Sequence, residues 1–187
     1  MTTTLIVITA VLVSIIIVAL LIGKEMNVER SVIINKPLKE VFEYLRFMRN
    51  LDNFSVWNMA DPNMHKEFRG KDGEPGFIYS WDSSTMKNVG AGEEEIIEVD
   101  KNRKIEFEIR FKRPMQNVAK ATFILESVSA DKTNVEWDFQ SRSKFPLNIL
   151  KSVLAKMLEK DLENSLQNLK KILEKRNADS FLRNRMI

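Results

Sequence analysis

The chain of 187 residues has no cysteine and a single histidine. Without thiols it forms no disulfide, no thiolate metal site and no cysteine nucleophile. The one histidine, His65, stands beside Lys66 and Glu67, and nothing near it has the spacing of a metal ligand set or of the base of a triad. Glycine is sparse, at six residues. Gly90 and Gly92 precede neither a helix start nor a phosphate-binding lysine, so they read as strand glycines that permit a bulge or a close approach. Charge of one sign is also missing as a block. The 29 basic and 26 acidic residues, net +3, interleave finely, as between Glu159 and Lys175, which argues against a nucleic-acid partner. Glu93, Glu94 and Glu95 form an acidic run. Adjacent strand residues face alternate sides, so the three do not converge on one carboxylate site, and for Glu94 a solvated rim is expected ahead of an inward, hydrogen-bonded place. These absences leave no expected catalytic residue, metal ligand or cofactor.

The first segment lacks charge altogether. From Thr2 to Gly23 no residue is ionisable, and between Leu5 and Gly23 only Thr9 and Ser14 interrupt the apolar run. As a helix, 22 residues rising ~1.5 Å each cover roughly 33 Å, close to the ~30 Å hydrocarbon core of a bilayer. In lipid a lone segment satisfies its own backbone only as a helix, whatever its β-branched content. A cleaved signal peptide fits less well, because the leading Met-Thr-Thr-Thr carries no Lys or Arg and no small-residue cleavage pattern follows. Lys24, Arg30 and Lys36 follow the span, which favours a cytoplasmic soluble domain. The expected organisation is an anchor over 1–23, a domain over 24–176 that sits against the membrane, and a basic tail over 177–187.

Past the span, Val28, Val32 and Ile34 share one face of a strand. Pro37 then suits a helix start, and Leu38, Val41, Phe42 and Leu45 recur at helical spacing through about Arg49. Residues to Pro62 show no clear period and are expected to hold a second short helix and a loop. Six strand-like runs follow at 64–69, 77–83, 90–99, 104–111, 118–127 and 133–140. The turns between them are rich in Gly, Asp and Asn and short enough to imply antiparallel neighbours. Alternation is cleanest where Ile105, Phe107, Ile109 and Phe111 oppose Glu106, Glu108 and Arg110, which gives a sheet with one wet face. A closing helix over 147–175 carries a stripe through Leu150, Leu154, Met157, Leu158, Leu162, Leu166, Leu169 and Leu173. At over 40 Å it is long enough to lie across a whole curved sheet.

A strand, a helix pair, six strands and a long C-terminal helix form the element order of the helix-grip fold. In the stretches SVIINKPLKEVFEYL, GKDGEPGFIYSW with Trp57 before it, GAGEEEIIEV and KTNVEW, the chain resembles the SRPBCC superfamily, in particular its START-related, polyketide cyclase/dehydrase-like branch. The resemblance runs from about Val28 to Lys175. It implies an α+β helix-grip domain, a curved antiparallel sheet wrapped around the last helix, with an apolar cavity between them. Aromatic residues at Trp57, Phe68, Phe77, Tyr79 and Trp81, with Phe107, Ile109, Phe123 and Trp137 from later strands and Leu154, Met157 and Leu158 from the closing helix, are the expected cavity lining. Taken singly, each of the large apolar side chains reads first as core, and only as a group do they mark a pocket. The function these features suggest is reversible holding of a hydrophobic small molecule or lipid beside the bilayer. A cyclase- or dehydrase-like reaction in the same cavity and a co-chaperone-like interaction domain are the alternatives.

Overall fold

A computed structural model describes residues 2–184. The apolar segment forms helix α1 (Thr2–Leu21), and its apolar side chains face outward, with Leu20 and Leu21 70% and 81% exposed. Ile22, Gly23 and Lys24 alone separate it from strand β1 (Glu25–Ile34). Helix α2 (Leu38–Leu45) follows Pro37 and buries Val41, Phe42 and Leu45 of the predicted stripe, together with Tyr44, while Leu38 is half-buried. A single 3-10 turn at Met48–Asn50 then leads into the four-residue helix α3 (Leu51–Phe54).

Strands β2 (His65–Arg69), β3 (Ile78–Asp82), β4 (Ala91–Asp100), β5 (Lys104–Arg113), β6 (Asn117–Ser129) and β7 (Lys132–Arg142) complete one sheet in the order β1-β7-β6-β5-β4-β3-β2. Every neighbouring pair is antiparallel. The chain walks across the sheet by hairpins from β2 to β7, and β1 closes the far edge. Register puts the apolar set on one face. Val28 lies opposite Phe139, Phe139 opposite Ala121, Ala121 opposite Phe107, and Phe107 opposite Ile96. All five are buried. A second buried row joins Trp137, Phe123 and Ile105. On the opposite face Arg110 bonds Glu93 and Glu95 at 2.8 Å each and Glu108 at 2.6 Å. Two-residue periodicity thus sorts one wet face from one dry face.

The closing helix α4 (Lys151–Asn184), entered through a 3-10 turn at Leu147–Leu150, runs beside β1 in the same direction. Arg30 pairs with Glu159 at 2.5 Å near its start, and Asn35 binds Glu174 at 2.8 and 2.9 Å farther along. Leu162, Leu166, Leu169 and Leu173 are buried against the sheet. At roughly 1.5–3 kcal/mol for each fully buried leucine, this stripe is a principal attachment of helix to sheet.

Two expectations need correction here. Leu150, Leu154 and Met157 do not pack on the sheet: they are 47%, 42% and 61% exposed, and Val153 between them is 59% exposed. The reason lies at the helix entrance. Asn148, fully buried, donates from Nδ2 to the carbonyls of Ala19 and Ile22 at 2.6 and 2.8 Å. The start of α4 is therefore held to the end of α1, and the helix packs on the core from Ala155 and Leu158 onward. The backbone also stays helical past Lys175, the expected end of the closing helix, to Asn184, while residues 185–187 of the basic tail lie outside the described residues.

Candidate functional site

Between the dry face of the sheet, α3 with the loop after it, and the first sheet-contacting turn of α4 lies a cavity of about 190 Å3. The sheet supplies Ile109, Phe111, Ala121, Trp137 and Phe139, and α4 supplies Leu158. The α3 segment contributes Leu51, Ser55, Trp57 and Asn58. That segment is fastened to α4 by two hydrogen bonds: the Val56 amide donates to Ser165 Oγ at 3.1 Å, and Asn168 Nδ2 donates to the Phe54 carbonyl at 3.3 Å. The wall opposite the sheet is thus held by backbone as well as by packing.

Besides Ser55 and Asn58, Glu94 and Trp137 bring polar groups to this largely apolar lining. Glu94 lies in β4 between Glu93 and Glu95, both of which turn to Arg110 on the wet face. Alternation therefore sends Glu94 to the dry face, opposite Tyr79 on one side and Ile109 on the other. It is 8% exposed, so the expected solvated rim position is wrong. Its carboxyl accepts no hydrogen bond among the described residues, and burial pushes its pKa up from 4.5 to about 7. Asp61 shows the opposite case. It is as deeply buried, but it accepts bonds from Ser83 Oγ at 2.5 Å, Thr85 Oγ1 at 2.8 Å and the Asn63 amide at 2.9 Å. Those hydrogen bonds hold its pKa below the ordinary value, so Asp61 is a structural clip that remains ionised.

The second group is the indole of Trp137, which is 4% exposed and whose Nε1 has no partner among the described residues. An indole N–H is a donor only, and a buried one left unpaired costs about 1–3 kcal/mol. Trp57 packs edge-on against the Trp137 ring, with centroids 6.0 Å apart, and holds it in place. The cavity thus pairs an apolar lining with a carboxyl whose proton is held to about neutral pH and with an indole whose N–H has no partner among the described residues.

Of the twelve residues expected to line a cavity, Trp57, Ile109, Trp137 and Leu158 do so. Phe107 and Phe123 are buried in the core, packed edge-on to each other at 5.8 Å. Phe77, Phe68, Tyr79 and Trp81 form a continuous stack along β2 and β3, at centroid spacings of 6.1, 5.4 and 5.9 Å, that fills its end of the sheet. Burial first, then the charges of Asp52 and Glu94, raises the Tyr79 phenol above its ordinary pKa, so it stays neutral. The Trp81 indole is satisfied by the Val89 carbonyl at 3.3 Å. Leu154 and Met157 are outside the site, for the reason given above. Phe111, Ala121 and Phe139 were legible as lining, since alternation puts them on the inward face with Ile109 and Trp137. Leu51, Ser55 and Asn58 come from the stretch without a period and carried no such signal.

Residues 25–174 match the model of a family described as polyketide cyclase/dehydrase and lipid transport. No curated protein sequence matches the chain. Among solved structures, norcoclaurine synthase from Thalictrum flavum superposes with a TM-score of 0.62 at 11% identity, over 82% of this chain and 96% of that one. The Zhui aromatase/cyclase from a Streptomyces species gives a TM-score of 0.62 at 14% identity, over 81% and 95%. A protein from Chromobacterium violaceum gives 0.59 at 12%, over 79% and 96%. Identities this low speak for the shared fold.

Proposed function

Because the chain belongs to the polyketide cyclase/dehydrase and lipid transport family, we propose that its sheet–helix cavity holds a compact hydrophobic molecule bearing one hydrogen-bond acceptor, at the surface of a bilayer spanned by α1. The observation that carries this reading is the pairing of an apolar cavity with the unpartnered Trp137 Nε1. Its volume of about 190 Å3 narrows the ligand. It is only somewhat larger than the ~150 Å3 cavity that admits benzene. It therefore suits one ring system or a short chain, and a two-chain lipid does not fit inside it. The ligand gains by replacing water contacts with close packing, and its acceptor satisfies the indole.

Native mass spectrometry of a fragment from Lys24 to Ile187, with aromatic ketones and their hydrocarbon isosteres, tests this. One ligand per chain is expected, with the ketone preferred, and Trp137→Phe should erase the preference while keeping the uptake. Equal binding of ketone and hydrocarbon by the parent would refute the role given to Trp137.

Glu94 supports a second reading, a general-acid reaction in the same cavity. A carboxyl pushed to about 7 carries a transferable proton near neutrality, and such shifts gather at active sites. Solved structures of the same fold named as a synthase and an aromatase/cyclase support this reading. On this reading Glu94→Gln keeps ligand uptake and abolishes turnover.

The membrane part of the proposal rests on α1. It has the length and apolarity to cross a bilayer, and Lys24, Arg30 and Lys36 beyond it favour the cytoplasmic side. Resistance of the cellular protein to alkaline carbonate, with its first residues intact by mass, is the expected result. A mature N-terminus near Gly23 would show a cleaved signal sequence instead.

A further inference from the structure

The end of the sheet nearest α1 carries a surface that neither the cavity nor the fold explains. A shallow groove of about 730 Å3 runs there between the chain entering β1, the end of β5, the start of β6 and the chain leaving β7. Its charged lining is entirely basic and includes Lys24, Lys112, Arg142 and Lys144, beside the apolar Val118 and Phe145. Lys112 and Arg110 are already paired with Glu93, but Lys24 and Lys144 form no ion pair among the described residues, and Arg142 meets only the exposed Glu25, at 3.6 Å. Directly after the groove come the 3-10 turn ending at Leu150 and the uncovered first turns of α4, where Leu150, Val153, Leu154 and Met157 are 42–61% exposed. Asn148 ties this element to the last turn of α1, and the Lys151 ammonium comes up against Gly23. Cations and exposed apolar side chains therefore surround the point where α1 leaves the domain.

Resting on the reading of α1 as a bilayer span, we infer that this face, the basic groove together with the first two turns of α4, docks on the anionic headgroup layer of the membrane that α1 crosses. Position, charge and polarity agree on that occupant. The face adjoins the end of the span, so docking adds no translational cost beyond the one α1 already meets. Lysine and arginine near an anionic leaflet each strengthen attraction on the order of fivefold. An apolar stripe next to basic side chains is the pattern of a helix lying in the interface plane, with its lysines reaching the headgroups. The exposed leucines, which would be a liability in water, are then covered.

The absence of native cysteine makes the test direct. The full chain is reconstituted in vesicles of phosphatidylcholine or of an equimolar phosphatidylcholine–phosphatidylglycerol mixture. It carries one environment-sensitive nitrobenzoxadiazole label at Val153→Cys, at Met157→Cys, or at Lys101→Cys in the turn at the opposite end of the sheet. In the anionic vesicles the labels at 153 and 157 should be blue-shifted and quenched by doxyl groups in the acyl chains, while the label at 101 stays open to aqueous iodide. Lys24→Glu, Arg142→Glu and Lys144→Glu together should reverse this at 153 and 157, although the protein still resists carbonate extraction. If 153 and 157 are as open to iodide as 101 in both vesicles, the inference is overturned. Disulfide cross-linking between copies at Met157→Cys would likewise overturn it, in favour of a second copy of the chain. Loss of the protein from vesicles under carbonate would instead refute the span, a separate failure.

Discussion

Glu94→Gln should make the domain more stable at pH 8 and leave it nearly unchanged at pH 4. The buried carboxyl titrates at about 7 in the folded protein, against 4.5 ordinarily. Below pH 4.5 both folded and unfolded chains hold the proton, and Glu94 costs nothing by ionisation. As pH rises from there, the unfolded chain releases its proton while the folded chain keeps it, so ionisation favours unfolding and stability falls. Above pH 7 the full cost is present. A gap of about 2.5 pH units at ~1.36 kcal/mol each amounts to about 3 kcal/mol. Glutamine has the shape of the neutral acid and never ionises, so the variant escapes that cost. For a domain of this size the gain corresponds to a rise in Tm of roughly 6–12 °C at pH 8. The assay is thermal unfolding of the full chain in mild non-ionic detergent, followed by tryptophan fluorescence, at pH 4, 6 and 8. In the folded parent the fluorescence should also show an inflection near pH 7, since Trp137 shares the cavity with Glu94. His65→Gln, which removes the protein's only histidine, should leave the inflection in place. A constant difference between Glu94→Gln and parent from pH 4 to 8 would refute the burial argument.

Other substitutions test the packing. Leu166→Ala, in the fully buried part of the α4 stripe, should cost about 2–5 kcal/mol in denaturant unfolding. Leu154→Asp, on the same helix but 42% exposed, should move Tm in detergent by no more than about 1–2 °C, as an exposed position does. Gly92→Ala would put a Cβ 2.5 Å from the Trp81 ring and 2.8 Å from the Arg110 carbonyl. Because Trp81 is held by its bond to Val89, the crowding should destabilise by about 1–3 kcal/mol, and unchanged melting would show that the ring can swing away. Trp137→Phe keeps a ring against Phe123, 4.5 Å away, and Trp57. It also deletes the unpaired donor, so it should change stability by less than about 1.5 kcal/mol, while a polar ligand's affinity falls.

The fold was largely written in local patterns. Alternation marked the dry faces of β1 and β5, strand-like runs between turns located the other strands, and short turns implied their antiparallel order. The closing helix was legible in extent but only half legible in orientation. Leu154 and Leu166 belong to the same apolar stripe, and nothing local tells which of them has a sheet beneath it. That difference is decided by Asn148, a polar residue whose partners lie in another element. Glu94 exposes a similar gap. Strand alternation already required it to face opposite Glu93 and Glu95, yet the general preference of carboxylates for water argued for the rim. The register of β4 prevailed because turning Glu94 outward would have sent Ile96, which is fully buried, out with it. The α3 wall of the cavity had no period to read. Its shape depends on contacts such as Val56 with Ser165, which are 109 residues apart in the chain.

The bond from Asn148 to α1 also bears on how the domain moves. A helix end normally leaves its last carbonyls without partners. Here two of them, at Ala19 and Ile22, are taken by one buried side-chain amide from the far end of the sequence. The junction is therefore a bracket: one side chain ties the entrance of α4 to the end of α1. On the proposed reading of α1 as a bilayer span, a roll or tilt of α1 would carry the groove and the cavity with it, so the bearing of the cavity would follow the flank that α1 turns to its neighbours.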